Sequence, residues 1–433
     1  MSELPPGWVA TTLGEVSRVV SGSTPRTTEP QFWGGEIAWI TPDDLSGYSE
    51  KRIARGARSI TSAGYESCST QLMPAGTVLY TSRAPIGYAA ISSAPVCTNQ
   101  GFKSFVPTDA VSSDYLYWVL VHATPQIREL GSGTTFPELS KKVAEGVPLP
   151  LPPLAEQRRI VAAIEEQFSR LDAAERTLER SRSLLHRLRE SALADRLGAG
   201  WPGRPLGDLL LSLRNGTFVS RPASEPPGTA IFRISAVRPM RLDVADIRYA
   251  VVDDDALSGF FVQPGDLLFT RYSGNPEYVG ACARVPNLAQ PTLHPDKLIR
   301  AVPDTSVVDP AYLEIACSIG STRAEIRARR KTTAGQVGIA GSQLRTVSVP
   351  VPSLEEQRRI VEKVQQQLSL IDALRAAVES AQKRSAALRR AILERAFRGE
   401  LVPQDPADEP ASVLLERIRA ERAAELPLRK RRQ

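Results

Sequence analysis

Groups able to do chemistry are sparse along these 433 residues, and their spacing does not suit catalysis. The three histidines, His122, His186 and His294, lie far apart, and none has a second ligand at the short spacing from which zinc sites are assembled. Asp43–Asp44 and Asp253–Asp254–Asp255 could offer carboxylates to a hard cation, but both fall in loop-like surroundings where solvated charge is expected. No GxxxxGK run and no GxGxxG after a strand-like stretch occurs, so neither ATP nor a methyl-donor nucleotide has a cradle. Asn-Pro-Glu-Tyr at Asn275 lacks the second proline of the Asn-Pro-Pro-aromatic tetrad of adenine methyltransferases, and a Gly-Asn-Pro turn accounts for it. Cys68, Cys97, Cys282 and Cys317 form no CxxC pair and are expected to be buried free thiols. The chain is therefore expected not to be an enzyme by itself, with no catalytic residues, no metal and no cofactor of its own.

What the chain does contain is a repeat. LAEQRRIVAAIEEQFSRLDA, from Leu154, and LEEQRRIVEKVQQQLSLIDA, from Leu354, start 200 residues apart and agree at 11 of 20 positions. Shorter echoes keep the same order: WVATTLGEV at Trp8 with WPGRPLGDL at Trp201, AGTVLYTSRAPIG at Ala75 with PGDLLFTRYSG at Pro264, and DYLYWVL at Asp114 with AYLEIAC at Ala311. A globular segment followed by a helix has been duplicated. Within each globular segment, GEIAWI, GTVLYTS, TAIFRIS and GDLLFT read as strands between Gly and Pro punctuation, while SDYLYWVLVHATPQIREL and PAYLEIACSIGSTRAEIRARR read as helices.

The repeated tail reads as a long helix without Gly or Pro from 154 to 197 and again from 354 to 397. Its apolar positions form heptads. Ile164, Leu171, Leu178 and Leu185 continue to Ala192, with Ala174, Ser181 and Leu188 between them; Val364, Ile371, Val378, Ser385 and Ile392 carry Leu374, Ala381 and Leu388 between. That is an a/d seam for pairing helices about 60 Å long, favoured over packing of each helix on its own domain. Antiparallel pairing within one chain would set the domains at opposite ends of a rod; exchange between chains stays open. Ser353 with Glu356 reads as a capping box, and Gly198 and Gly399 as C-terminal stops.

The predicted organisation is thus 1–153 and 199–353 as mixed α/β domains, 154–198 and 354–400 as coiled-coil helices, and 401–433 as a tail with a short amphipathic helix and a basic end. The class is a tandem repeat of α/β (α+β) domains separated by two long antiparallel coiled-coil helices. Composition is 42% hydrophobic and 24% charged, with no apolar run near the roughly 18 residues that span a bilayer, and the opening MSELPPGW is unlike a signal peptide, so a cytoplasmic chain is expected. The net charge of +6 does not itself prove a nucleic-acid binder: Lys and Arg number 11 against 13 acids in 1–153, and 17 against 14 in 199–353.

The ordered motifs resemble those of the specificity subunit of type I restriction–modification systems. The first half carries SGSTP, WGGEIAWITPDDL, TSRAPIG, CTNQGFK, GSGTTFPELS and LPLPPLAEQRRIV; the second carries GDLLFTR, DKLIR, AGQVGIAGSQLR, VPVPSLEEQRRIV and AFRGELVPQDPADEPASVLLERIRAER. The resemblance covers nearly the whole chain. It implies two target-recognition domains that read the halves of a gapped double-stranded DNA target, with the helices as ruler and dock for two adenine-methylating subunits and, where present, two translocase–nuclease subunits. S-adenosylmethionine, ATP and Mg would belong to those partners. The readers should be cationic, amide or hydroxyl side chains on loops: Arg26, Ser82, Arg83, Asn99, Gln100 and Lys103 in the first domain, and Arg214, Arg221, Arg271, Tyr272, Asn275 and Lys297 in the second. Two readings compete with this one, a coiled-coil scaffold and a stand-alone DNA-binding repressor.

Overall fold

The computed structural model describes residues 4–83, 85–131, 137–194, 200–251, 257–333 and 336–430. It divides into two compact units, one of Met1–Thr177 with Ala381–Gln433 and one of Leu178–Ser380. The first contains strands β1 (Val9–Thr12), β2 (Ser17–Ser21), β3 (Trp33–Ile40), β4 (Arg52–Ile53), β5 (Arg58–Ile60), β6 (Val78–Ser82), β7 (Ile86–Ser92), β8 (Cys97–Thr98), β9 (Lys103–Pro107) and β10 (Pro148–Leu151). They form a five-stranded sheet of order β2-β9-β6-β7-β4, a three-stranded sheet β5-β3-β8 and the pair β1-β10. Helix α1 (Ser113–Glu129) covers the larger sheet.

The second unit repeats this plan. With β11 (Gly203–Pro205), β12 (Leu210–Asn215), β13 (Thr229–Phe232), β14 (Ile247–Ala250), β15 (Leu267–Thr270), β16 (Cys282–Arg284), β17 (Thr292–Leu293), β18 (Leu298–Pro303) and β19 (Ser348–Pro350), the sheets are β12-β18-β15-β16, β14-β13-β17 and β11-β19. Even the parallel step is kept, Ile40 opposite Thr98 in one unit and Ile231 opposite Leu293 in the other.

The continuous apolar runs have a simple cause. Val78 and Tyr80 of β6 face the core under α1, whereas Leu79 faces the smaller core beside the three-stranded sheet; Leu267 and Phe269 against Leu268 do the same in β15. A strand covered on both faces needs apolar residues at every position, not at alternate ones. Cys97, Cys282 and Cys317 are buried free thiols in this packing, and Cys68 is half-buried.

The twice-written EQRRIV begins helices α2 (Leu154–Ala194) and α4 (Leu354–Phe397). Its glutamine is fully buried in both copies. The Gln157 side-chain amide donates to Ala110 O (2.8 Å) and Pro152 O (3.0 Å) while its oxygen accepts from Ser112 N (2.9 Å). Gln357 donates to Val307 O (3.2 Å) and Pro352 O (2.9 Å) and accepts from Asp309 N (2.7 Å). Ser112 and Asp309 are the N-caps of α1 and of helix α3 (Pro310–Ser318), so each glutamine ties the start of a long helix to the start of a domain helix. A second tie, the hydroxyl of Tyr115 to Pro150 O and of Tyr312 to Pro350 O, both 2.7 Å, is also duplicated. Ser353 Oγ accepts from Glu356 N (3.3 Å), and Gly399, with φ 74°, follows the end of α4; Gly198 lies outside the described residues.

Along each long helix the two packing alternatives are both realised. Ile160 and Ile164, like Ile360 and Val364, are buried in their own domain's core. Further on, within the first unit, α2 and α4 run antiparallel: Ile164 and Phe168 share a core with Leu393, Ala396 and Phe397, and Glu175 meets Ser385 at 2.6 Å. Leu171 and Ile392 pack at the edge of that core, Leu178 and Val378 are half-buried, and Leu185 and Ile371 are buried. Leu188 and Leu388, expected in the seam, are instead 46% and 51% exposed. The intervening row is taken by Phe168 and Glu175, one residue later than the apolar count suggests, because Glu175 and Arg389 (3.2 Å) satisfy each other there; Arg389 also pairs with Asp172 and lies 4.9 Å over the Phe168 ring. Polar groups in a seam cost stability but fix its register.

The tail is docked as well. Helix α5 (Ala411–Lys430) buries Ala411, Leu415 and Ile418 in the first unit's core, with Arg419 paired to Glu15 and Arg422 donating to Gly14 O (2.9 Å). Ahead of it, Asp408 binds Arg159 (2.6 Å), and Gln404 reaches Glu156, which also accepts from Trp8 Nε1 (3.0 Å).

Removing either glutamine takes the partner from one N–H and two carbonyls at a buried to half-buried junction. Gln157→Ala and Gln357→Ala should each cost about 3 kcal/mol, whereas Gln365→Ala, on an exposed face, should stay within about 0.5 kcal/mol. Urea-denaturation midpoints of the three variants check this. Glu156 supplies a pH test: burial pushes its carboxyl above the ordinary range despite its hydrogen bonds. The folded state therefore holds that proton more tightly than the unfolded chain, and its contribution is lost as pH rises past about 4.3. The stability difference between Glu156→Gln and wild type should move in the variant's favour from about pH 4 to pH 7; a pH-independent difference contradicts it.

Candidate nucleic-acid interface

In the first domain three strands deliver their ends to one place. The Gly22–Ser23 turn after β2, the end of β6 and the loop after β8 are knitted by Ser23 N to Thr98 O (3.0 Å), Ser82 N to Gly101 O (2.7 Å) and Leu139 N to Ser82 O (2.9 Å). The second domain uses the same net with different residues: Thr217 N to His294 O (3.1 Å), Arg271 N to Lys297 O (2.9 Å) and Ile339 N to Arg271 O (2.9 Å). Gly22 thus corresponds to Gly216, Ser82 to Arg271, Gly101 to Lys297 and Leu139 to Ile339. The two glycines are required by the close approach, since a Cβ would lie 2.0 Å from Asn99 O in one case and 2.1 Å from His294 O in the other. The loops nominated from sequence chemistry are therefore brought together in each domain by a repeated backbone network.

Not every nominated side chain faces outward. In the first domain Arg26 is exposed, and Gln100 is hydrogen-bonded to the Thr24 hydroxyl. Arg83 lies 3.6 Å from Glu138. Ser82, by contrast, is fully buried, and Lys103 is only 7% exposed with its amine 3.5 Å from Glu138. Asn99 turns its side-chain oxygen inward to accept from Gly101 N (2.9 Å). Strand termini carry Ser82 and Lys103 into the core, which residue type alone does not reveal; the Asn99 and Lys103 side chains brace the loops from within, and Ser82 holds them through its backbone N–H and carbonyl.

In the second domain Arg214 is exposed, with its guanidinium 4.7 Å over the Phe260 ring, and Arg221 is exposed further along that loop with φ 49°. Arg271 donates to Asp296 O (3.3 Å) and lies 4.8 Å over Tyr272. Tyr272, Asn275 and the exposed Lys297 line one cavity of about 390 Å³, together with Arg238, Thr270 and Tyr278. Asn275 Oδ1 accepts from Glu277 N (3.0 Å), so Asn-Pro-Glu-Tyr is the turn that the sequence implies.

Several supporting groups were not legible beforehand. Trp39 Nε1 donates to Ser23 O (3.0 Å) and Trp33 Nε1 to Arg26 O (3.2 Å), while Arg58 stacks 3.7 Å over Trp33, an arrangement built by the pairing of β3 with β5. Arg323, 5% exposed, donates to Glu277 O (2.8 Å) and Val279 O (3.2 Å) beneath the Asn275 turn, and burial pushes it down to about 10. His294 is fully buried under the Lys297 loop with Nδ1 2.7 Å from Phe260 O. Among the described residues no group of His, Cys, Asp and Glu is gathered so as to hold a metal ion, and no helix is long and apolar enough to cross a membrane. The His186 side chain and Asp253–Asp254–Asp255 lie outside the described residues.

Against proteins of known function, the chain is 35% identical over 322 residues to the EcoKI specificity subunit of Escherichia coli K12, covering 69% of each chain. It belongs to the type I restriction enzyme specificity subunit family. Residues 5–180 match the family model of the type I restriction modification DNA specificity domain. Over 166 residues, 38% of each chain, it is 40% identical to the MjaIX specificity subunit of Methanocaldococcus jannaschii. The fold agrees: a chain from a solved structure on assembly of the type I system superposes with a TM-score of 0.73 at 22% identity, covering 92% of this chain and all of that one. The HsdS subunit of Thermoanaerobacter tengcongensis does so at 0.59, covering 92% and 98%. As a specificity subunit this is a DNA-recognition component of a restriction–modification system and not a catalytic one, and neither the scaffold nor the stand-alone repressor reading is supported.

In this specificity subunit the titration of His294 offers a local probe. Burial pushes its imidazole down to about 4, so the folded domain holds it neutral whereas the unfolded chain takes up a proton below about 6.5. Its contribution to stability is complete above about pH 6.5 and is lost as pH falls towards about 4. The stability difference between wild type and His294→Gln should shrink through that window in chemical denaturation; a difference that does not vary with pH would contradict the assignment.

Proposed function

We propose that this specificity subunit reads a gapped, two-part double-stranded DNA sequence, the first domain contacting one part and the second domain the other. It then positions two adenine-methylating subunits and, where present, two translocase–nuclease subunits. The observation that carries this reading is the duplicated loop cluster: one backbone net, presented twice, with a different set of side chains on each copy. Arg26, Arg83 and Gln100 supply cationic and amide groups in the first cluster, and Arg214, Arg221, Arg271, Tyr272, Asn275 and Lys297 supply them in the second. Arginine and lysine suit guanine edges and phosphates, and glutamine and asparagine suit adenine edges. Ser82, Asn99 and Lys103 support those loops. Unequal side chains imply unequal half-sites.

On this reading the recognition domains are 1–153 and 199–353, the helical segments 154–198 and 354–400 space them and dock the partners, and 401–433 closes the first domain. S-adenosylmethionine, ATP and Mg act on the partner subunits, and the complex works where the chromosome lies, in the cytoplasm. Mapping methylated adenines genome-wide with and without this gene tests the proposal. Loss of one gapped, two-part motif is expected on deletion; an unchanged methylation pattern in a strain that expresses the partners contradicts it. The isolated chain should bind that target weakly and gain affinity when the methylating subunits are added.

A further inference from the structure

The two loop clusters differ most sharply at one position. Thr24 follows Gly22–Ser23 in the first domain, and Phe218 follows Gly216–Thr217 in the second. Thr24 gives its hydroxyl to Gln100. Phe218 instead leaves its ring 76% exposed, although both neighbours are anchored: Thr217 bridges to Pro295 and accepts from Asp296 N (2.9 Å), and Val219 packs against the Ile231–Leu293 core. The phenyl ring is held out by a tied-down backbone, on loops that also carry Arg214, Arg271 and Lys297. An exposed aromatic ring so placed costs burial that the free chain could have gained, and the cost is recovered when a ligand covers it.

We infer that Phe218 is a specificity-determining residue that packs against the C5-methyl group of a thymine in the half-site read by the second domain. The inference rests on the DNA-reading function proposed above. Phe218 occupies the register of Thr24, which is paired with an amide side chain suited to base edges, so position 218 lies in the row that meets those edges. The apolar feature of a base edge is the thymine methyl, and phenylalanine is among the side chains that contact it. The alternative for an exposed ring, a wedge between stacked bases, would kink the duplex and unstack a step; the test separates the two.

The complex with its methylating partners is titrated with duplexes in which each thymine of the second half-site is replaced in turn by deoxyuridine, which keeps the base pair and removes only the methyl. Wild type should lose roughly fourfold in affinity at one position, the worth of one buried methyl. Phe218→Ala should bind the thymine duplex more weakly by a similar factor and be indifferent to deoxyuridine there, with positions in the first half-site unaffected. A second half-site without a T·A pair, or the same deoxyuridine profile in wild type and variant, overturns the inference while leaving DNA reading intact. So does 2-aminopurine fluorescence reporting an unstacked step that Phe218→Ala abolishes, with no methyl dependence. A wild-type complex with no sequence-specific binding overturns the functional reading and this inference together.

Discussion

A buried glutamine amide near the start of each long helix is the constraint on which the arrangement depends. A helix begins with backbone N–H groups that lack partners, and a chain that has just left a Pro-rich strand brings carbonyls with the same deficit. Gln157 and Gln357 answer carbonyls on both sides and the amide of a domain N-cap with one side chain. With the glutamine itself fully buried, these bonds leave little freedom at the junction, since any rotation strands three polar groups at once. Each domain is thereby fastened to its own helix, and the tyrosine hydroxyls of Tyr115 and Tyr312 add a second point. This accounts for the glutamine that recurs in both copies of EQRRIV although the loops differ: the joint answers to backbone groups that both halves share.

The loops follow the same division of labour. Backbone hydrogen bonds, which need no particular side chain, fix where the turns lie, and Gly22 and Gly216 permit the approach. Side chains are then free to differ. The first cluster presents Arg26, Gln100 and Arg83, and the second presents Arg214, Lys297 and an exposed phenyl ring at Phe218. A scaffold that holds loop position independently of loop composition can change what it recognises without changing how it folds.

Much of the plan is legible in the sequence because it rests on periodicity and repetition: the duplicated order of motifs, the long helices and the strand-like runs. The remainder depends on tertiary contacts. Gln157 looks like one more polar residue in a charged helix, and only the carbonyls of Ala110 and Pro152, 47 and 5 residues away, make it buried. Leu388 satisfies a heptad count yet stays exposed, while nearby Glu175, Ser385 and Arg389 satisfy one another in the seam, and apolar counting passes over charged residues that do so; Leu188, in the other unit, is exposed as well. Ser82 and Lys103 have the chemistry of readers but lie where strands end in the core. The tail 401–433 reads as an amphipathic helix, and its destination on the first domain is set by Leu415 and Ile418 finding an apolar face there.

The central claim, that two separately mounted loop clusters read separate parts of one target, is tested most directly by mapping methylated adenines in cells carrying paired loop variants. Arg26→Ala with Arg83→Ala should relax one half of the methylated motif, and Arg214→Ala with Lys297→Ala the other, each leaving the opposite half and the spacing between them unchanged. If either pair degraded both halves alike, or if neither altered the motif, the account would be wrong.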